Sequence, residues 1–193
     1  MRIKAIERKL SGDEAKNKAT KNKAKSKHEE SRLGEPLLIY YPNWMLAYVF
    51  EYDVHKTPFT RRSGRATTAV LVDAAYPRSL PKKKRRSVMA ELIPEPLEMR
   101  SMDVDSEIVV APRLDEEKAR SYAADTLSRS KKKNVQLHDS TCLSCKLVYM
   151  PYWIYWDGAH VVSIDAHDGY LNPHLSELIE RGPLYYIGVK LMR

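Results

Sequence analysis

The same aromatic pattern occurs twice in this chain. Leu38-Ile-Tyr-Tyr-Pro-Asn-Trp44 aligns without a gap to Leu147-Val-Tyr-Met-Pro-Tyr-Trp153. Each is followed by an apolar stretch and then by a branched run ending in Asp-Ala. That run is Ala69-Val-Leu-Val-Asp-Ala74 in the first copy and Val161-Val-Ser-Ile-Asp-Ala166 in the second. A repeat constrains the fold, because a unit this small buries too little apolar surface alone and must share a core with its twin. The copies are bounded at residues 37–76 and 146–171. The Trp-to-Asp spacing is 29 residues in the first and 12 in the second. The excess predicts a longer hairpin around Tyr52–Arg65, whose Pro58, Gly64 and three arginines point to an exposed loop.

The second copy indicates how the unit folds. Residues 146–156 are rich in aromatic and β-branched residues and predict a strand. Asp157-Gly158 predicts a two-residue type I′ turn, which needs positive φ at both centres. His160–Asp165 is then the partner strand, and Asp168-Gly169 marks a further turn. Pro42 and Pro151 each remove a ladder donor, which predicts an edge position or a bulge. Residues 112–130 predict a helix, with Asp115, Glu116 and Glu117 near its start and Arg129 near its end, as the helix dipole favours. Ala119, Tyr122, Ala123, Thr126 and Leu127 form its buried stripe. Residues 173–181 predict another helix, capped by Asn172, with Pro173 at the first position and Gly182 past the end. Leu175, Leu178 and Ile179 face the core. Residues 184–192 predict a last strand. The expected class is α+β, an antiparallel sheet built from two related hairpin units packed by helices. Residues 34–193 form that domain and residues 1–33 a basic N-terminal arm.

Charge concentrates in the arm. Lys and Arg number 33 against 25 Asp and Glu, a net +8. Residues 1–32 hold eleven basic and five acidic side chains, which is +6. Residues 15–27 contain no large apolar residue and predict a solvated segment, disordered alone or ordered on a partner. Ahead of them, Ile3, Ile6 and Leu10 share one face of a predicted short helix flanked by Arg2, Lys4, Arg8 and Lys9. Such a helix suits docking on a protein or an anionic membrane surface. The candidate phosphate-binding residues of the arm are Lys16, Lys18, Lys21, Lys23, Lys25 and Lys27. Two more basic clusters follow, Lys82, Lys83, Lys84, Arg85 and Arg86, then Lys131, Lys132 and Lys133. The first also resembles a nuclear localisation signal. Residues 91–107 between them are acidic and predict surface loops. No apolar run reaches the roughly 18 residues of a membrane span. The start lacks the apolar core of a secretion signal. The expected location is the cytoplasm, or the nucleus in a eukaryotic source.

Few residues point to catalysis. There is no phosphate-binding Gly-rich loop, no G-x-S-x-G and no H-E-x-x-H. Cys142-Leu-Ser-Cys145 is the one cysteine motif, and His138 lies four residues before it. These three could contribute to a zinc site that needs a fourth ligand. The cysteines could equally form a thiol–disulfide couple or be incidental. His160, Asp165, His167, Asp168 and His174 gather around the second hairpin and could ligate metal or exchange protons. Against this, Asp165 recurs as Asp73 where the first copy has no histidine, which fits a turn cap. Tyrosine outnumbers phenylalanine 12 to 2. Tyr40, Tyr41, Trp44, Tyr48 and Tyr52, with Tyr149, Tyr152, Trp153, Tyr155 and Trp156, could stack bases or peptide. They could also pack between sheet and helices with hydroxyls at the rim.

A helix containing Glu116-Glu-Lys-Ala119, followed by strands and by Val162-Ser-Ile-Asp-Ala-His-Asp-Gly169, resembles a PepSY-type unit. In that family a helix precedes a hairpin ending in a Val-Asp-Ala-x-Thr-Gly-like signature. The resemblance covers about residues 113–171, with a degenerate second copy near residues 37–76. Asp168 stands in place of the threonine, and the first copy has Ala75-Tyr76-Pro77 in place of the glycine. The resemblance implies a non-enzymatic binding or inhibitory module, of a kind often found at cell surfaces.

The residues together predict a non-enzymatic binding or assembly protein. Its partner would be nucleic acid or a nucleoprotein assembly, engaged through the basic arm and loops. A protein–protein module is the alternative, with a zinc or redox protein built on the Cys pair behind it.

Overall fold

The computed structural model describes residues 1–23, 34–57, 60–76, 90–93, 96–104, 108–129 and 135–191. Their elements are β1 (Arg2–Ile6), α1 (Gly12–Lys23), β2 (Leu37–Thr57), β3 (Thr60–Asp73), β4 (Ala90–Ile93) and β5 (Met99–Asp103). Then come α2 (Glu116–Arg129), β6 (Val135–Trp156), β7 (Val161–Asp165), α3 (Pro173–Glu180) and α4 (Tyr185–Leu191). The fold is α+β, and the strand order is β4-β3-β2-β6-β1-β5, with β7 also paired to β6. The sheet is mixed, because β1 runs parallel to β6. The pairs β1–β5, β2–β3, β3–β4 and β6–β7 are antiparallel. Two compact units divide the chain, residues 1–41, 99–110 and 149–193 in the first and residues 42–98 and 111–148 in the second. Among the described residues, no helix is long and apolar enough to cross a membrane.

In the first unit, the helix expected over residues 3–10 is absent, and β1 takes its place. Ile3, Ala5 and Ile6 are buried, and the strand is hydrogen-bonded to β5 from Arg2↔Asp103 to Ile6↔Met99. Ile3, Ile6 and Leu10 have the i, i+3, i+7 spacing of a helical face, but backbone pairing of residues 2–6 with β5 and β6 overrides it and leaves Leu10 beyond the strand. α1 starts with a capping box: Glu14 N donates to Ser11 Oγ, and Ser11 N donates to Glu14 Oε2 at 2.8 Å. Ala15 is fully buried against Trp153, Tyr155, Val162, Ile164 and Ala166. A segment without large apolar residues therefore does bury a face, because the small side chain lets the helix backbone approach the sheet.

The β6–β7 connection spans four residues, Asp157–His160, between the pair Trp156↔Val161. Gly158 has φ +92° and no non-glycine residue among those described has positive φ, so the expected type I′ turn does not form. Asp157 Oδ1 instead accepts from Ala159 N and His160 N. α3 follows expectation, with Asn172 Oδ1 accepting from Leu175 N. The strand expected over 184–192 is the helix α4. Its buried residues Ile187 and Gly188, with Leu184 just ahead of it, fall at i+3, i+4 and i, the spacing of one helix face. A Cβ at Gly188 would lie 3.2 Å from Ile179 O, so glycine admits the close approach of α3.

In the second unit, β2 and β3 form one long hairpin, paired from Asn43↔Asp73 out to Thr57↔Thr60. The longer hairpin of the first copy is therefore present, but Tyr52–Arg65 is mainly paired strand rather than loop. The acidic connector likewise contributes β4, paired to β3, in this unit and β5 in the other, in place of surface loops. α2 begins at Glu116, four residues later than expected. Asp115 Oδ1 caps it by accepting from Lys118 N at 2.8 Å. Leu46, Tyr48, Val70, Val72, Leu114, Ala119, Ala123 and Leu127 form the core beneath it.

Pro42 and Pro151 do not mark edge strands, since β2 and β6 both lie inside the sheet order. Each sits where its strand changes partner. Tyr40 bridges Val109 in parallel and Asn43 pairs with Asp73. Tyr149 pairs with Ala5 in parallel and Tyr152 with Asp165. The free carbonyls are used, Pro42 O accepting from Ala74 N and Pro151 O from Ala166 N.

Candidate functional site

The root of the basic segment is fixed to the first unit at several points. Trp153 Nε1 donates to Leu10 O at 2.9 Å, and Tyr155 Oη donates to Gly12 O at 2.6 Å. Burial pushes the Tyr155 phenol up to about 12, so it remains a protonated donor at neutral pH. Arg8 lies over the Trp153 ring, 5.4 Å from its centroid. Lys18 Nζ donates to Asp168 O at 3.2 Å. Hydrogen bonds from Ser11, first its backbone N–H, hold the Glu14 carboxyl below the usual carboxylate range.

The predicted lysines are distributed as follows. Lys16 is half-buried and Lys18 exposed. With Asp13, Gly34, Glu35 and Pro36, Lys16 lines an open hollow of about 560 Å³. Lys21 and Lys23 belong to the last turn and a half of α1. Lys25 and Lys27, the cluster Lys82–Arg86 and the cluster Lys131–Lys133 lie outside the described residues. The structure therefore brings Lys16, Lys18, Lys21 and Lys23 onto one helix.

Most of the paired aromatic residues are core. Tyr40, Tyr41, Tyr48, Tyr149, Tyr152 and Tyr155 are all buried. The exposed large apolar side chains among the described residues include Tyr170, Leu171, Tyr185 and Tyr186 instead. The sequence held no signal separating these tyrosines from the others.

The acidic and histidine cluster around the second hairpin is built as turn chemistry. Asp165 Oδ1 accepts from His167 N at 2.7 Å, and His167 Nδ1 sits 2.9 Å from Glu7 O. Asp73 Oδ1 accepts from Ala75 N and Tyr76 N in the same way in the second unit. Burial, and then the neighbouring Asp168 charge, push the Asp165 carboxyl up to about 6. His160 Nδ1 lies 2.9 Å from Glu180 Oε1, away from the Asp165 turn.

Cys142 and Cys145 lie on β6, half-buried against the core under α2. Arg120 Nη1 donates to Cys142 Sγ at 3.2 Å, and Arg120 Nη2 is held by Glu116 Oε1 at 2.6 Å. Burial pushes the Cys145 thiol up to about 11. His138 is part of β6. Among the described residues, no group of three or more His, Cys, Asp or Glu is placed to hold a metal ion. The Arg120–Cys142 contact was not legible in sequence, since the 21 intervening residues give no cue to it.

No family model matches the sequence, and neither a curated protein nor a solved structure matches it.

Proposed function

We propose that the chain is a non-enzymatic binding protein that engages an anionic partner, nucleic acid or a nucleoprotein assembly, through the lysine-rich segment that leaves α1. One observation carries this reading. The segment starts from a helix pinned to the first unit through Leu10 O, Gly12 O and Ala15, so its lysines start from a defined point. Lysine contacts to phosphate release counterions and need no base-specific geometry. A nucleic-acid partner places the protein in the cytoplasm or nucleus.

The finer architecture belongs to the same proposal. We infer that the chain is an internal duplication, whose helices are exchanged between copies. Trp44 Nε1 donates to Leu114 O just ahead of α2, as Trp153 Nε1 donates to Leu10 O just ahead of α1. Arg113 N and Leu114 N both donate to Ala74 O, as Lys9 N and Leu10 N both donate to Ala166 O. Ala15 in α1 and Ala119, with Ala123 and Leu127, in α2 are buried against the strands beneath each helix. α1 thus covers β6–β7 and α2 covers β2–β3. The PepSY-like reading of residues 113–171 stays within this proposal, as a helix and hairpin of one copy that pack on parts of the other.

The test is binding to duplex DNA and single-stranded RNA by fluorescence anisotropy from low to physiological salt. The chain is compared with one carrying Lys→Gln at 16, 18, 21, 23, 25 and 27. Each lost phosphate contact should lower the slope of log K against log salt by about 0.9 on duplex DNA. An unchanged slope would exclude this segment, and the same substitutions at 82–86 would follow. The second reading, a protein-binding module, is favoured by the exposed Tyr170, Leu171, Tyr185 and Tyr186. It predicts salt-insensitive capture of a protein partner.

A further inference from the structure

One exposed aromatic side chain stands beside the lysine-rich helix. Tyr170 is 73% exposed and follows the turn at the end of β7. Its backbone is fixed: Tyr170 N donates to Asp168 Oδ1 at 2.8 Å, and Tyr170 O accepts from Asp165 N at 2.8 Å. Leu171 then bridges Ile164 of β7. The exposed ring is therefore carried on a well-held base. The preceding Gly169 has φ +83°, and a Cβ built there would lie 2.7 Å from Lys18 Nζ. One Cα–Cβ bond and one Cα step further on, the Tyr170 Cα is no more than about 8 Å from that nitrogen. Both residues belong to the first unit.

The Lys18 amine is positioned but not used up. Nζ donates to Asp168 O at 3.2 Å. An ammonium carries three N–H donors, so this bond leaves two for a phosphate. The side chain already lies along Gly169, so less rotamer freedom is lost when a ligand arrives. Lys9 reaches the same turn, with its backbone N donating to Ala166 O and its side chain exposed. The carboxylates nearby are engaged by backbone donors, Asp168 by Tyr170 N and Glu14 by Ser11 N.

A base stacks on a ring only where its face is free. A single strand offers such faces along its length, and a duplex offers them only at its ends. Lysines alone do not discriminate between the two, since both present phosphates. A cation beside an exposed ring does.

We propose that Tyr170 stacks an unpaired base while Lys18 holds an adjoining phosphate, which makes single-stranded nucleic acid the preferred ligand of this face. The proposal rests on the reading of the chain as a nucleic-acid-binding protein.

The experiment measures fluorescence anisotropy of labelled oligothymidylate and of a blunt duplex of equal length with the full chain. Tyr170→Ala should weaken single-strand binding about 5- to 150-fold, the loss of one stacked base, and leave duplex binding unchanged. Tyr170→Phe keeps the ring and should bind as wild type does. Lys18→Gln should lower the salt slope on the single strand by about 0.7. If the chain binds nucleic acid but Tyr170→Ala binds the single strand as tightly as wild type, or loses both ligands equally, this inference fails and the binding reading stands. If the chain binds neither ligand, both fall together. Photo-crosslinking of wild type to iodouracil-substituted single strands is independent of any variant's folding. The crosslink should map to the peptide carrying Tyr170, and crosslinks confined to other peptides would overturn the proposal.

Discussion

Two indole nitrogens each close a helix approach. Trp153 Nε1 and Trp44 Nε1 donate to the carbonyls of Leu10 and Leu114, in the turns that lead into α1 and α2. Trp153→Phe keeps an aromatic ring but removes the indole N–H and part of the buried bicycle, leaving that carbonyl without its donor, at an expected cost of at least about 1–2 kcal/mol. Urea unfolding of Trp153→Phe and Trp44→Phe measures this, and the two should agree within about 1 kcal/mol. Asp165 offers a different kind of test. Its carboxyl is raised to about 6, by burial first and then by Asp168. The unfolded chain releases this proton near pH 4, while the native protein holds it until about pH 6. The group therefore costs stability progressively as pH rises from about 4 to 6, and the cost stays constant above. Asp165→Asn keeps the Oδ1 acceptor of the turn and removes the charge. It should gain on wild type across that window, by at most about 3 kcal/mol, as read from denaturation midpoints at a series of pH values.

At the scale of elements, the two helices rest on alanine. Ala15 and Ala119 have no accessible surface, and each sets how closely its helix lies on the strands below. Ala15→Leu or Ala119→Leu pushes three further carbons into a filled space and should cost about 1–3 kcal/mol. Asn17→Ala, on the exposed side of α1, should be close to neutral by the same thermal or urea measurement. α2 was legible from its apolar stripe and end charges, although its cap Asp115 was read as lying inside the helix, and α3 was legible down to its local cap, Asn172, which accepts from the third residue after it. β1 and α4 were not. The spacing of Ile3, Ile6 and Leu10 is that of a helix face, and pairing with β5 and β6 overrides it. Tyr185–Leu191 has strand-forming composition but takes its buried spacing from contact with α3.

At the scale of the molecule, the N-terminal segment is both structure and basic surface. β1 pairs with β5 and β6, and α1 covers Trp153, Tyr155 and Ile164. A chain beginning at residue 34 loses Ile3 and Ile6, each worth about 1.5–3 kcal/mol when buried, and uncovers the apolar face of β6–β7. Against a total of about 5–15 kcal/mol for a domain, the first unit should lose cooperative unfolding. Near-ultraviolet circular dichroism of the tryptophans reads that loss. Side-chain substitution, not truncation, is therefore the way to remove the charge of α1.

The sequence by itself determined the local features of this protein. These are the strands of the β2–β3 and β6–β7 hairpins, the Asp-Ala turns at Asp73 and Asp165, the cap of α3, and the placement of most of the net positive charge before residue 33. All follow from contacts a few residues long or from composition. The tertiary structure alone decided that the first residues are a strand within the sheet. It also decided that each helix covers the hairpin distant from it in sequence, and that Arg120 meets Cys142. Backbone pairing and side-chain packing join residues more than a hundred positions apart, as Leu10 joins Trp153, and no periodicity in either segment encodes its partner.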